Sequence, residues 1–106
     1  MALRQAENDL ARLRLDIAQE VHDAVEHYQS LRRVQQLFES GYLDRARLTV
    51  TTAETSQRVG AASLIELLDA ERTYTATQTD YLDTLLAARA SLDNLEKSVG
   101  KDLAGN

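Results

Sequence analysis

The stretch QRVGAASLIELLDAERTY, residues 57–74, decides the fold. Gly60 suits the left-handed residue that ends a helix, because it lacks the Cβ that would clash there. Ser63 and Glu66 stand in the S-x-x-E relation of a capping box, with Ser63 as N-cap and Glu66 as the third helical residue. One helix therefore ends just before Val59 and another begins at Leu64, with a turn over residues 59–63. So short a connection makes the two helices antiparallel neighbours.

Outward from the turn, apolar and small residues recur in steps of three and four on both sides. Ahead of it run Leu3, Ala6, Leu10, Leu13, Ile17, Val21, Ala24, Tyr28, Leu31, Val34 and Phe38, continuing through Tyr42, Ala46, Val50 and Ala53. After it come Leu67, Ala70, Tyr74, Tyr81, Leu85, Ala88, Leu92, Leu95 and Val99. This is helical periodicity, and it predicts helices over residues 3–58 and 64–99, with Gly100 as a stop. Gly41 is the one interior interruption. A glycine inside a helix costs about 1 kcal/mol against alanine, so the reading is a continuous or gently kinked first helix, a true break there making three. The fold class is all-α, a long antiparallel hairpin of coiled-coil character in one domain.

Composition agrees. Among 106 residues there is no proline, cysteine or tryptophan and one phenylalanine, which suits narrow helical seams better than a thick core. A net charge of −5 argues against nucleic acid as a partner. The basic residues are scattered beside acids at i,i+4, as in Arg12 with Asp16, Glu54 with Arg58 and Asp93 with Lys97. Without cysteine there are no disulfides or thiolate sites. No apolar stretch approaches the roughly 20 residues that span a bilayer, and the first ten residues lack the apolar core of a signal peptide.

The arms are unequal, about 80 Å and about 55 Å at the helical rise. Residues 3–23 or so are thus left without a partner in the hairpin, though Leu10, Leu13 and Ile17 keep them amphipathic. A second apolar line runs through Leu64, Leu68, Leu82 and Leu86, and on the first helix through Leu15, Val25 and Leu43. A lone hairpin needs one seam, whereas helices in a curved single-layer wall need two. Self-association, or a place in a larger wall of helices, follows. Near the turn, Thr49, Thr51, Thr52, Ala53, Thr55 and Ser56 lie opposite Thr73, Thr75, Ala76 and Thr77, small enough for close approach.

Three segments, EVHDAVEHYQSL (residues 20–31), VGAASLIELLDAERTY (59–74) and LDNLEKSVG (92–100), resemble in order and spacing the TolC-like outer membrane factors, the exit ducts of Gram-negative efflux pumps. The LLDAER wording leans towards the heavy-metal branch. The resemblance implies that the chain is one helical hairpin of a larger subunit. Three such subunits would form a periplasmic α-barrel beneath a membrane β-barrel. It implies that Val59, Gly60 and Ala61 are the periplasmic tip that meets a membrane fusion (adaptor) protein, with the inner-membrane transporter an indirect partner. Glu66 and Asp69 match acids at the channel's closing aperture. Two positions depart from the family pattern. Gln57 stands where an aromatic is common, and Ala62 where some members carry a basic residue, so the usual tyrosine and arginine latch is not expected. Which of the parent's two hairpins this is stays open.

Plainer readings stand beside these. Gly60 serves as a helix cap in any case, and Glu66 as part of a capping box near a helix N-terminus. His22 and His27 project about 140° apart on a helix, poor geometry for one ion, so no metal site is expected and no cofactor. No phosphate loop, thiol or serine–histidine set points to an enzyme. The competing function is a coiled-coil scaffold or adaptor hairpin without a channel. An adaptor hairpin would carry R-L-x-x-L beside its turn, and none lies near Gly60.

Overall fold

The computed structural model describes residues 2–104. Helix α1 is Ala2–Leu37, followed by a π-helical segment Phe38–Tyr42, helix α2 Leu43–Arg58 and helix α3 Leu64–Ala104. Among the described residues there is no strand, and the long helices pack against each other. Among the described residues no helix is long and apolar enough to cross a membrane.

The chain forms two compact units. One is Arg33–Leu86; the other joins the chain up to Arg32 with the chain from Ala87 onward. Within Arg33–Leu86, α3 turns Leu67, Ala70, Tyr74, Thr77, Tyr81 and the adjacent Thr84 and Leu85 inward, in alternating steps of three and four as far as Thr84. Opposite them the inward residues are Gln35, Phe38, Leu43, Ala46, Val50 and Ala53. Here the spacing corrects two expectations. Val34 and Tyr42 are exposed, and Gln35 and Leu43 hold their places in the seam.

The cause is one additional residue in the helix. From Phe38 to Leu43 the seam steps by five, and the Leu43 N–H donates to the Phe38 carbonyl, the i→i+5 bond of a π-turn. Gly41 sits inside with φ 150° and ψ −13°, a conformation that L side chains rarely adopt. The Ser40 hydroxyl donates to the Leu37 carbonyl at 3.2 Å. The first helix is therefore kinked at Gly41, where two helical runs meet across one non-helical residue, and its seam is shifted by one residue there.

In the other unit the inward residues are Ile17, Val21, Ala24, Tyr28 and Leu31 of α1, and Ala88, Ser91, Leu95, Ser98 and Asp102 of α3. Gly100 does not stop α3. It keeps an ordinary helical backbone, and the helix continues to Ala104, held by half-buried Asp102 and by Lys101 Nζ, 3.7 Å from Glu20 Oε2. Because α3 runs on, burial on α1 begins at Ile17, and the uncovered stretch is residues 2–16 rather than 3–23.

The most buried of the described positions carry small side chains: Ala24, Val50, Ala88, Thr77, Ser91 and Ser98. Several threonines satisfy their hydroxyls within their own helix, Thr77 on the Thr73 carbonyl at 2.9 Å and Thr84 on that of Asp80 at 2.9 Å. They therefore enter the seam at little polar cost. Side-chain ion pairs among the described residues include Arg47 with Asp44, Arg89 with Asp93, Lys101 with Glu20 and, when protonated, His22 with Glu26. Asp93 thus takes Arg89, not Lys97.

Candidate functional site

The tip is built by local chemistry. Past Arg58, the Ala61 N–H donates to the Ser56 carbonyl at 2.8 Å and the Gly60 N–H to that of Gln57 at 3.1 Å. With Gly60 at φ 80°, this is the Schellman closure, which satisfies two carbonyls of the last turn. Ala62 N–H adds a bond to Ser56 at 3.2 Å. The next helix starts at once: the Glu66 backbone N–H donates to Ser63 Oγ at 3.2 Å, as an N-cap does. The return bond of a capping box, from the Ser63 N–H to the Glu66 carboxylate, is not formed among the described residues.

The turn leaves Val59, Gly60 and Ala61 exposed, Val59 at 74 %. A Cβ added at Gly60 would meet nothing within 4 Å, so the glycine is required by its dihedral angle and not by crowding. Gln57 is exposed on the last turn of α2. Ala62 is half-buried and, with Leu48, Thr49, Thr52, Ala53, Ser56 and Glu66, lines an open cleft of about 370 Å³. Glu66 and the small-residue face of α2 therefore share one surface. Asp69 is exposed and does not line that cleft. Neither acid has an ion-pair partner among the described residues.

Comparison of the chain with protein-family models, curated proteins and solved structures gives no match. The tip offers an exposed turn of small side chains and one valine over residues 59–61, an open cleft lined largely by hydroxyls and methyls, and two free carboxylates beside a helix start. These are features for contact. Among the described residues no group of His, Cys, Asp or Glu is placed to hold a metal ion. His22 Nε2 lies 3.2 Å from Glu26 Oε1 on an exposed surface, and His27 lines a separate cleft with Glu20, Asp23 and Lys97.

One cluster escaped the sequence. Around the π-turn, Phe38 packs edge-on to Tyr42 at 5.4 Å between ring centroids and tilted against Tyr81 at 5.6 Å. The Tyr81 hydroxyl donates to Glu39 Oε1 at 2.8 Å. That hydrogen bond, then loss of hydration, then the carboxylate's charge hold the Tyr81 phenol above its ordinary value of 10.0. Beside it, Val34, Leu37, Phe38, Tyr42 and Asp80 line an open groove of about 200 Å³. Phe38 and Tyr42 at i,i+4 around a glycine were the available signal.

Proposed function

We propose that this hairpin is a periplasmic segment of a TolC-like outer membrane efflux channel. Its tip would dock to a membrane fusion (adaptor) protein and form part of the channel's aperture. The observation that carries the reading is the second apolar line of the unit Arg33–Leu86. Leu64, Leu68, Leu82 and Leu86 stay more than half exposed, at 58 %, 51 %, 54 % and 61 %, although the seam with the other arm is complete. Apolar surface repeated along one helix face asks for a neighbour, and in a barrel wall each helix has two. Three copies of the chain's parent would provide them.

At the tip, Val59, Gly60 and Ala61 are the adaptor-contacting residues of this reading, and Glu66 and Asp69 the aperture acids. Repeated around a three-fold axis, these carboxylates would form a negative ring that attracts cations and responds to salt. The proposal assigns no catalysis and no cofactor. A scaffold hairpin, the rival reading, accounts for the main seam but leaves the outer leucines without purpose.

The decisive experiment is site-specific cross-linking in the parent channel. A photoreactive residue at Ala61 should trap the adaptor protein, whereas one at exposed Arg12, far from the tip in sequence, should not. Absence of any adaptor adduct at Val59, Gly60 and Ala61 overturns the docking role. For the aperture, Glu66→Gln with Asp69→Asn should lower cation preference in single-channel recordings; unchanged conductance and selectivity would refute the ring.

A further inference from the structure

Both arms of the hairpin are weakened at one level. On the first arm the weakness is the π-turn Phe38–Tyr42, where the Leu43 N–H reaches the Phe38 carbonyl and Gly41 leaves the helical region at φ 150°. Turns of this kind interrupt the α-helical ladder and bend the helix that contains them. A Cβ added at Gly41 would meet nothing within 4 Å. Its dihedral angles are therefore confined neither by a side chain of its own nor by neighbours. Contact fixes the level of α3 that lies opposite: Tyr81 packs tilted against Phe38 and bonds Glu39.

Around Tyr81 the sequence TYTATQTDYLDT, residues 73–84, holds five threonines. Threonine is a weak helix former, because its branched Cβ is crowded by the preceding turn. Three of them turn their hydroxyls back on carbonyls four residues earlier: Thr77 on Thr73 at 2.9 Å, Thr79 on Thr75 at 3.0 Å and Thr84 on Asp80 at 2.9 Å. Such bonds compete with the helix's own and bend it. The seam is also thin here. Among the described residues, no position of the first arm between Ala24 and Val50 is as buried as those two, nor any of α3 between Thr77 and Ala88. Few buried contacts leave little to oppose local motion. What closes the level is specific: Glu39 accepts the Tyr81 hydroxyl at 2.8 Å and Gln35 Nε2 at 2.9 Å.

We infer that the hairpin carries a bending joint at the level of Gly41 and Tyr81, latched by the hydrogen bond from Tyr81 to Glu39. On the first arm Gly41 takes up the change in backbone angle, as a hinge residue does. On α3 the threonine-rich turns take it up by bending gently. The paired helices on the tip side, with Val59, Gly60 and Ala61, swing as one body while the seam stays closed. The joint lies inside the unit Arg33–Leu86. It does not depend on what the tip meets, so the adaptor cross-linking above can fail without touching it, and the reverse holds too.

Backbone residual dipolar couplings of the isotope-labelled chain in a weakly aligning medium test the joint. One set of amides is residues 21–31 with 88–98, the other residues 46–56 with 66–76. A rigid hairpin, straight or kinked, gives both sets one degree of alignment, whereas a joint gives them different degrees. The unmodified chain should show the difference. Deleting Gly41 should abolish it, and Tyr81→Phe should widen it. Amide hydrogen exchange of the unmodified chain should also run about tenfold faster over residues 40–43 than over residues 21–31. Equal alignment of the two sets in the unmodified chain overturns the joint, whether or not the deletion variant folds. So does exchange at residues 40–43 no faster than at residues 21–31. A difference that survives the deletion removes Gly41 as the pivot, and one that Tyr81→Phe leaves unchanged removes the latch.

Discussion

The Tyr81 hydroxyl meets Glu39 Oε1 at 2.8 Å across 42 residues of sequence, immediately beside the π-turn. It ties α3 to the point where the first arm changes phase. Gln35 Nε2 donates to the same carboxylate at 2.9 Å, so Glu39 is held from both arms. Tyr81 donates only while protonated, and its folded-state pKa is raised above 10.0. Raised folded pKa means that the folded chain holds the proton more tightly than the unfolded chain. The contribution is therefore complete below pH 10 and is lost as pH rises through the folded value. Thermal unfolding followed by circular dichroism from pH 8 to about 11 should show this loss. Tyr81→Phe should remove that part of the alkaline dependence and, at pH 8, lose the modest contribution of the hydrogen bond while ring packing on Phe38 remains.

Gly41 should respond in opposite directions to substitution and to deletion. At φ 150° an added Cβ meets no neighbour but strains the backbone, so Gly41→Ala should cost about 1–2 kcal/mol. Removing Gly41 altogether should restore a four-residue step between Phe38 and Leu43 and let an unbroken α-helix keep the seam. The deletion variant should then unfold at or above the temperature of the parent chain. A deletion more damaging than the alanine would mean that the π-turn, and not the seam, sets the structure.

How much of this was legible turns on particular residues. Ile17, Val21, Ala24, Tyr28 and Leu31 announce the seam because their apolarity coincides with their burial. Thr77, Ser91 and Ser98 do not, since hydrophobicity passes over hydroxyl residues that reach the interior by being small. Tyr42 looked inward because an unbroken period of three and four leads there; one π-turn moves the place to Leu43. Gly100 looked like a stop because a glycine's dihedral angle is not written in its identity, and packing of the following turn decided it. The tip was readable because turn chemistry is local: Gly60 and Ser63 act on atoms a few residues away. The groove of Val34, Leu37, Phe38, Tyr42 and Asp80 was not, because it needs the re-phased helix to exist.

Ser91 is 5 % exposed, and its hydroxyl has no hydrogen-bond partner in the structure. An unmet buried hydroxyl costs about 1–3 kcal/mol, while the space it occupies is close to that of a methyl. Ser91→Ala should therefore leave stability unchanged or raise it by about 1 kcal/mol. Ser91→Leu should destabilise by about 1–3 kcal/mol through overpacking of a seam built on small residues. Urea unfolding of both variants measures the contrast. A destabilised alanine variant would show that the hydroxyl has a partner after all.

The tip separates two roles that the sequence superimposes on residues 63–66. Ser63 makes its capping bond to the Glu66 N–H, so Ser63→Ala should cost about 1 kcal/mol. Gly60→Ala should cost about 1–2 kcal/mol, because φ 80° suits only glycine well. Glu66 is different: its backbone is in the cap and its carboxylate is free. Glu66→Gln should remove only the attraction to the helix N-terminus, about 0.3–1 kcal/mol at low salt, and Asp69→Asn less, since it lies beyond the first turn. The double neutralisation should then fold like the parent chain, which thermal unfolding verifies directly. Any change it produces in a channel would report on charge at the aperture and not on a damaged hairpin. If instead the double variant lost well over the roughly 1 kcal/mol that helix-terminus attraction can supply, the acids would be structural, and the aperture role would lose its footing.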